Sequence, residues 1–256
     1  MEHKVALVTG AASGIGATVA RALAERGARV AAVDRNATRL SAAVEKMTAD
    51  GLRVEAFAAD VTKSTDVENV VEQAERRLGP VEFLVNAAGV LRLGQARHLT
   101  DDDWAATFAV NATGVFLMSR AVVNRMVPRS RGAIVTVASN AAGTARMEMA
   151  AYSASKAAAT MFTKCLGLEV AAHGIRCNVV APGSTDTPML RSMWQDESGP
   201  KATVEGRLEA FRVGIPLGKL AQPSDIANAV LFLLSDQAEH ITMHDLTVDG
   251  GAALGV

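Results

Sequence analysis

Tyr152 and Lys156 stand four residues apart in the stretch IVTVASNAAGTARMEMAAYSASKAA, with Ser139 upstream of both, and Tyr152 is the single tyrosine of the 256-residue chain. The Ala-rich sequence around them favours helix, which puts positions 152 and 156 on one face a turn apart. An ammonium beside a phenol, at about 4 Å and an effective dielectric near 20, is worth roughly 4 kcal/mol. That is about three pKa units, enough to bring a phenol from about 10 towards neutrality. Tuned in this way, Tyr152 is a candidate general base for an alcohol. Ser139 closes the β-branched run AIVTVAS and is expected at the carboxyl end of a strand, where open α/β sheets bind their ligands. The competing reading is a surface helix carrying an exposed tyrosine and lysine, so the surrounding elements must decide.

Those elements alternate. KVALVTG (Lys4–Gly10) reads as a strand, TGAASGIG as a glycine turn and ATVARALAERG as a helix. Gly10, Gly14 and Gly16 would let backbone N–H groups and a helix N-terminus approach a pyrophosphate. A second strand, Ala28–Asp34, ends in an acid 18 residues after Gly16. Asp34 suits the ribose hydroxyls of NAD and would repel the extra phosphate of NADP; Arg35 beside it keeps dual use open, and a plain turn-capping role is the alternative. A helix over Thr38–Asp50, a strand ending at Asp60, a helix over Ser64–Leu78 and the strand VEFLVNAAG continue the alternation. Asp60 and the turn Asn86–Gly89 fall at carboxyl strand ends, as ligand contacts or as turn residues.

Asp101–Asp103 offer N-terminal carboxylates to a long helix running to about Met126. Asn111 lies inside it. Because its amide competes for backbone groups, Asn111 followed by Thr113–Gly114 marks either a functional distortion or a tolerated surface polar position. After the strand IRCNVVAPG comes a segment at about 184–222, too long for an ordinary connection and expected to be a substrate lid with helix of its own. Its Met189, Leu190, Met193 and Trp194 suit an apolar wall over a flat ring, or a subunit interface. PSDIANAVLFLLSD and HDLTVDGG complete seven strands. The expected fold is a single α/β domain over residues 1–256, a Rossmann-type doubly wound parallel sheet with helices on both faces.

Composition narrows the function. A net charge of −1 and 49% hydrophobic residues describe one folded unit without the basic face that nucleic acid or an anionic membrane requires. No run approaches the roughly 18 apolar residues of a membrane span, and MEHKVALVTG lacks a signal peptide's features, so a cytoplasmic location is expected. Cys165 and Cys177 form no CxxC and are read as buried free thiols. The five histidines show no ligand spacing, and no metal is expected.

Taken together, TGAASGIG, Asp60, NAAG at Asn86–Gly89, Asn111, Ser139, Tyr152-x-x-x-Lys156 and PGSTDT at Pro182–Thr187 resemble the short-chain dehydrogenase/reductase family over the whole chain. The resemblance implies Tyr152 as general base, Ser139 on the carbinol or carbonyl oxygen, Lys156 on the nicotinamide ribose and lowering the tyrosine pKa, and Asn111 holding a water in a proton relay. It implies a nicotinamide cofactor, here NAD, held by Gly10, Ser13, Gly14, Ile15, Gly16, Asp34, Arg35, Asp60 and Val61. Asn86, Ala87, Gly89, Tyr152, Lys156, Pro182, Gly183, Thr185 and Thr187, the last facing the carboxamide, complete that set. A homotetramer built on the two long helices around Asn111 and Tyr152 is also implied.

VNAAGVLRLG, DDWAATFAVN, GIRCNVVAPGSTDTPMLRSMW and GIPLGKLAQPSDIANAVLFLLSD further resemble family members that oxidise 2,3-dihydro-2,3-dihydroxybenzoate in catecholate-siderophore biosynthesis, while Thr18–Lys63 resembles them only loosely. The expected partner is thus a small cyclic hydroxy acid. Oxidising its ring carbinol gives an enone that tautomerises to a catechol, so aromaticity drives the reaction towards NAD reduction. Alternatives are the amino analogue 2,3-dihydro-3-hydroxyanthranilate, 3-oxoacyl-carrier-protein reduction, and a non-catalytic dinucleotide-binding regulator. The substrate carboxylate requires a cation, with Arg146 the first choice because its loop is anchored by Ser139 and Tyr152, and Arg92 and Arg191 the other candidates. Ser139, Tyr152 and Met189 complete the expected substrate contacts.

Overall fold

The computed structural model describes residues 1–255. Its strands are β1 (Val5–Thr9), β2 (Arg29–Asp34), β3 (Val54–Ala58), β4 (Val81–Asn86), β5 (Gly132–Val137), β6 (Ile175–Pro182) and β7 (Asp245–Val248). They form one sheet in the order 3-2-1-4-5-6-7 with every neighbouring pair parallel. Strand order reverses between β1 and β4, so the loops leaving Thr9 and Asn86 diverge there and open a crevice at the carboxyl edge.

The period of two along each strand divides the core. Ala6 and Val8 of β1 pack in a layer with α1 (Gly14–Glu25), α2 (Ala37–Ala49) and α9 (Pro223–Leu234), through residues such as Leu23, Leu40 and Ile226. Val5 and Leu7 face the other layer, with α3 (Ser64–Leu78), α5 (Gly114–Met126) and α6 (Ala150–Val170), through Val71, Met118 and Leu166. Burial on both faces accounts for the near-continuous Val, Ile and Ala runs of the strands.

Two sequence expectations change. The long helix is not continuous: α4 (Asp101–Phe108) passes into a π turn, Ala109–Thr113, before α5, and the Gly114 N–H bonds to the Ala109 carbonyl five residues back. Cys165 is exposed on α6, whereas Cys177 is buried in β6, where burial pushes its thiol up to about 12. The helical run Asp101–Arg129 is long and apolar enough to cross a membrane by length and composition, with mean hydropathy 1.4 in its most apolar window. More than half of that window is buried inside the domain, as in a core helix.

The segment from β6 to α9 starts and ends at one point. Asp186 N–H donates to the Ala221 carbonyl at 2.8 Å, and Ala221 N–H to the Ser184 carbonyl at 3.1 Å. Between these stitches lie α7 (Pro188–Arg191) and α8 (Gly199–Glu205), followed by a tight hairpin.

Candidate active site

The first half of the crevice is built on glycine. A Cβ on Gly16 would lie 2.3 Å from the Gly10 carbonyl oxygen, and one on Gly10, whose φ is +69°, would lie 2.8 Å from the Ala87 oxygen. Side chains are excluded, and the turn between β1 and α1 packs backbone to backbone against the loop after β4. Ser13 caps α1 in extended conformation without bonding any helix N–H through its side chain, and no acid stands in the first turn. The positive end of α1 therefore faces the crevice with its donors uncommitted to side chains, which suits a pyrophosphate.

Gly14, Ile15, Gly16, Asp34, Arg35, Asp60, Val61, Ala87, Gly89 and Thr187 line this half together with Gly10 and Ser13; Ala59, Ala88, Val90 and Val110, not singled out from sequence, join them. Asp34 at the end of β2 accepts from Ala12 N–H at 3.2 Å and Asn36 N–H at 2.9 Å. It is at once a turn cap and a carboxylate in the cleft wall. Burial works to raise the Asp60 carboxyl, but the Thr62 N–H and hydroxyl, with Lys63 and Arg35, hold it below its ordinary value.

Asn86 is not in the cleft lining. Its amide points into the core, donating to the hydroxyls of Ser119 at 3.0 Å and Thr136 at 3.4 Å. The last residue of a buried strand alternates inward here, and the core engages its side chain.

The second half of the crevice holds the candidate catalytic residues. β5 delivers Ser139, loop 140–149 crosses the opening, and α6 presents Tyr152 and Lys156 from its first turns. The Ser139 hydroxyl accepts from Ala141 N–H at 3.1 Å, which fixes the turn, and it lines the space together with Tyr152. Lys156 Nζ lies 5.8 Å from the centre of the Tyr152 ring and donates to the Val137 carbonyl at 2.8 Å.

Electrostatically the pair differs from the sequence expectation. Burial raises the Tyr152 phenol above its ordinary value; the Ser139 hydrogen bond acts in the opposite direction and is outweighed. Burial also lowers the Lys156 ammonium to about 8. Spacing located the pair, but desolvation, which sequence does not measure, sets the balance.

Asn111 is fully buried in the π turn. Its Nδ2 donates to the Val90 carbonyl at 2.9 Å and the Ser155 hydroxyl at 3.0 Å, while its Oδ1 accepts from Val90 N–H at 2.9 Å. Both amide hydrogens are spent on protein, so the side chain clamps the loop Gly89–Val90 to α6 and cannot also donate to a relay water. The clamp matters for the site, since a Cβ on Gly89 would sit 3.4 Å from Asn111 Oδ1 and 3.5 Å from Lys156 Nζ.

Pro182, Gly183, Thr185 and Thr187 form one wall; Thr187 caps α7 by accepting from Leu190 N–H. Apolar side chains of Leu91, Met149, Met189, Leu190, Met193 and Ile215 surround the space before Ser139 and Tyr152. Trp194 lies outside it, its indole N–H bonded to Thr203.

Of the three candidate arginines only Arg146 lines this space. Arg191 makes a two-point pair with Asp186, at 2.7 and 3.0 Å, on the exposed side of α7. Arg92 is exposed and faces Asp103 at 3.8 Å. Neither lines the crevice, because a nearby carboxylate on the surface claims each guanidinium. Arg212, which the sequence reading passed over, lines the space alongside Arg146.

The family described as short chain dehydrogenase matches residues 4–198. The 2,3-dihydro-2,3-dihydroxybenzoate dehydrogenase of Bacillus subtilis (strain 168) is 57% identical over all of this chain and 98% of its own length. The enzyme of the same name from Escherichia coli (strain K12) is 45% identical, covering 97% of this chain and 96% of its own. Among solved structures, a gluconate 5-dehydrogenase from Burkholderia cenocepacia J2315 in complex with NADP and tartrate superposes with a TM-score of 0.91 at 31% identity, covering 100% of this chain and 97% of the other. With its sheet order, its crevice and these full-length likenesses in agreement, the chain belongs to the short-chain dehydrogenase family and is an oxidoreductase.

Proposed function

We propose that this enzyme oxidises 2,3-dihydro-2,3-dihydroxybenzoate to 2,3-dihydroxybenzoate with NAD, in the cytoplasm and as a homotetramer. The observation that carries the reading is the Arg146 guanidinium in a space walled by Leu91, Met149, Met189, Leu190, Met193 and Ile215 before Ser139 and Tyr152: a site for a flat ring bearing one carboxylate. Full-length relatives of that name, at 57% and 45% identity, support it.

In this reading Ser139 donates to the carbinol oxygen and Tyr152 takes the hydroxyl proton. Arg146 holds the ring carboxylate, fixing which carbon faces the cofactor. The residues of the glycine turn, with Asp34 at the ribose end, suit a dinucleotide, which when bound supplies the hydride acceptor. Loss of a hydride and a proton gives the ketone, whose tautomerisation yields the aromatic catechol. Segment 184–222, stitched at its base and carrying Met189 and Met193, closes the ring from water.

Burial of Tyr152 favours the neutral phenol, so the base must be generated inside a low-dielectric site. The Lys156 charge is the protein's means of doing so. Activity is therefore expected to rise on the alkaline side of neutrality.

The deciding experiment mixes the enzyme with the dihydrodiol acid or with 2,3-dihydro-3-hydroxyanthranilate, each with NAD or NADP, and follows reduced cofactor by absorbance. Turnover is expected to be highest with the dihydrodiol acid and NAD, and to fall by about a thousandfold in Tyr152→Phe while NAD still binds. Preference for the amino acid analogue would reassign the substrate, and preference for NADP the cofactor, a complex seen with the gluconate 5-dehydrogenase.

A further inference from the structure

Residues 206–214 form a built loop. Arg207 and Arg212 pair as an antiparallel bridge, with N–H to carbonyl distances of 2.9 and 3.0 Å in the two directions. At its neck the chain crosses itself on two glycines. A Cβ on Gly206 would lie 2.4 Å from the Arg212 oxygen, and one on Gly214 would lie 2.5 Å from the Val204 oxygen, with φ of +85° and +81°. Phe211 takes a left-handed conformation, φ 51°. That residue reverses the chain's facing: Leu208 and Phe211 point to solvent, 89% and 84% exposed, while Arg212 turns into the crevice.

Arg212 therefore reaches, from the lid, the space that Arg146 reaches from the loop before α6. We propose that Arg212 is a second specificity determinant, gripping the substrate carboxylate from the lid side while Arg146 grips it from the other. This rests on the reading of the substrate as a cyclic carboxylate.

The charges around the space favour such a ligand. Burial lowers both guanidiniums, and the Arg146 charge lowers Arg212 further, so the pair repel across the cleft. Arg146 makes one long contact, to the Ala252 carbonyl at 3.4 Å. Asp249, the acid that acts on Arg146, already accepts from Asn140 Nδ2, Gly251 N–H and Ala253 N–H. Arg207 is answered by Glu209 at 2.8 Å on the outer side of the hairpin, whereas no acid acts on Arg212 among the described residues. Arg146, Arg212 and the Lys156 ammonium line one desolvated space with a single, already committed carboxylate beside it, so the space carries net positive charge and suits an anionic ligand. A carboxylate has lone pairs enough to accept from both guanidiniums.

The test compares 2,3-dihydroxybenzoate with catechol, which lacks only the carboxylate. Calorimetric titration of each into the NADH-saturated enzyme gives their affinity ratio, and thermal melts monitor folding. Wild type is expected to prefer the acid. Arg212→Gln should lower that ratio by about tenfold, the worth of one charged hydrogen bond, with catechol affinity unchanged. Arg212→Lys should recover part of it, and the double variant with Arg146→Gln should lose less than the product of the single losses. Should Arg212→Gln melt early, Arg212→Met, which keeps the apolar stem, takes its place. A ratio within twofold of wild type in the folded Arg212 variant overturns the inference and leaves Arg146 and the proposed reaction standing. A wild type that does not prefer the acid removes both.

Discussion

At the scale of single residues the contest is between proximity and burial. Lys156 is held as a buried ammonium whose pKa falls from 10.5 to about 8. Between those values the unfolded chain binds more protons at this position than the native one, so stability rises with pH there. Below pH 8 the cost of burying the charge is carried in full. Lys156→Met removes it, at the expense of the bond to Val137. The difference in unfolding free energy between wild type and Lys156→Met should therefore move in favour of wild type by on the order of 2–3 kcal/mol from pH 8 to 10. Taking a difference cancels Cys177, whose raised pKa acts in the opposite direction above pH 9. Urea melts of the two proteins across that range check it, and a flat difference would mean that Lys156 is better solvated than its position implies. For Asp34, replacement by alanine removes a carboxylate from the cleft wall and leaves Arg35 to meet a 2′-phosphate. The NAD to NADP ratio of kcat/KM should drop at least about tenfold, because the ribose hydroxyls of NAD lose a charged acceptor while the extra phosphate of NADP is no longer repelled. An unmoved ratio would leave Asp34 as a turn cap only. Sequence spacing found the Ser139, Tyr152 and Lys156 group because those residues lie on one strand end and one helix turn. It did not find Arg212, since nothing in RLEAFR tells which side of a hairpin faces inward. Asp186 and Arg191, by contrast, are close enough in sequence that their pairing on a short helix was a readable sign against Arg191 as a ligand contact.

Elements hold these residues through close backbone approaches and interruptions more than through regular structure. The turn from β1 into α1 was legible, because glycines at 10, 14 and 16 between an apolar strand and an amphipathic helix have few other uses. What the pattern could not show is which glycine bears the tightest constraint. Gly16 does, with the Gly10 oxygen 2.3 Å from any added Cβ and no flexible side chain to yield. Gly16→Ala must push α1 away from the turn, and with it the helix N-terminus that faces the crevice. It is expected to weaken NAD binding at least about a hundredfold and to lower stability by about 2–3 kcal/mol, as overpacking does. Fluorescence titration with NADH and a thermal melt test it; Gly143→Ala, where φ is −107° and an added Cβ meets nothing, is the control for stability. The π turn at Asn111 was legible as a disturbance but not as a type. An asparagine in a helix interior signals that its amide has partners elsewhere, and those partners, Val90 and Ser155, lie on a loop and a helix that meet only in the folded chain.

For the molecule as a whole, α6 has two opposed faces. Tyr152, Lys156, Ala159, Thr163 and Leu166 are buried against the sheet. On the other side Ala158, Met161, Cys165 and Leu168 form an exposed stripe at spacings of three, four and three, with Met161 60% and Leu168 71% exposed. Beside it, Trp104 stacks on Phe108 at 4.6 Å and Phe116 meets Phe162 edge-on at 5.8 Å, with Trp104 46% and Phe116 38% exposed. Exposed apolar side chains gathered on neighbouring helices in this way suit association. The stripe also lies on the face of α6 opposite Tyr152 and Lys156, so docking copies of the chain through it would brace the helix that carries them. The proposed homotetramer should give a light-scattering mass four times the 26.7 kDa chain on size exclusion. Met161→Glu with Leu168→Glu sets two charges on one face, seven residues apart, and neither side chain enters the crevice. That variant is expected to dissociate to dimer or monomer and to lose several degrees of melting temperature while still binding NADH. A wild type that elutes as a monomer at micromolar concentration would refute the assembly, and a tetramer that survives both charges would move its interface to another face.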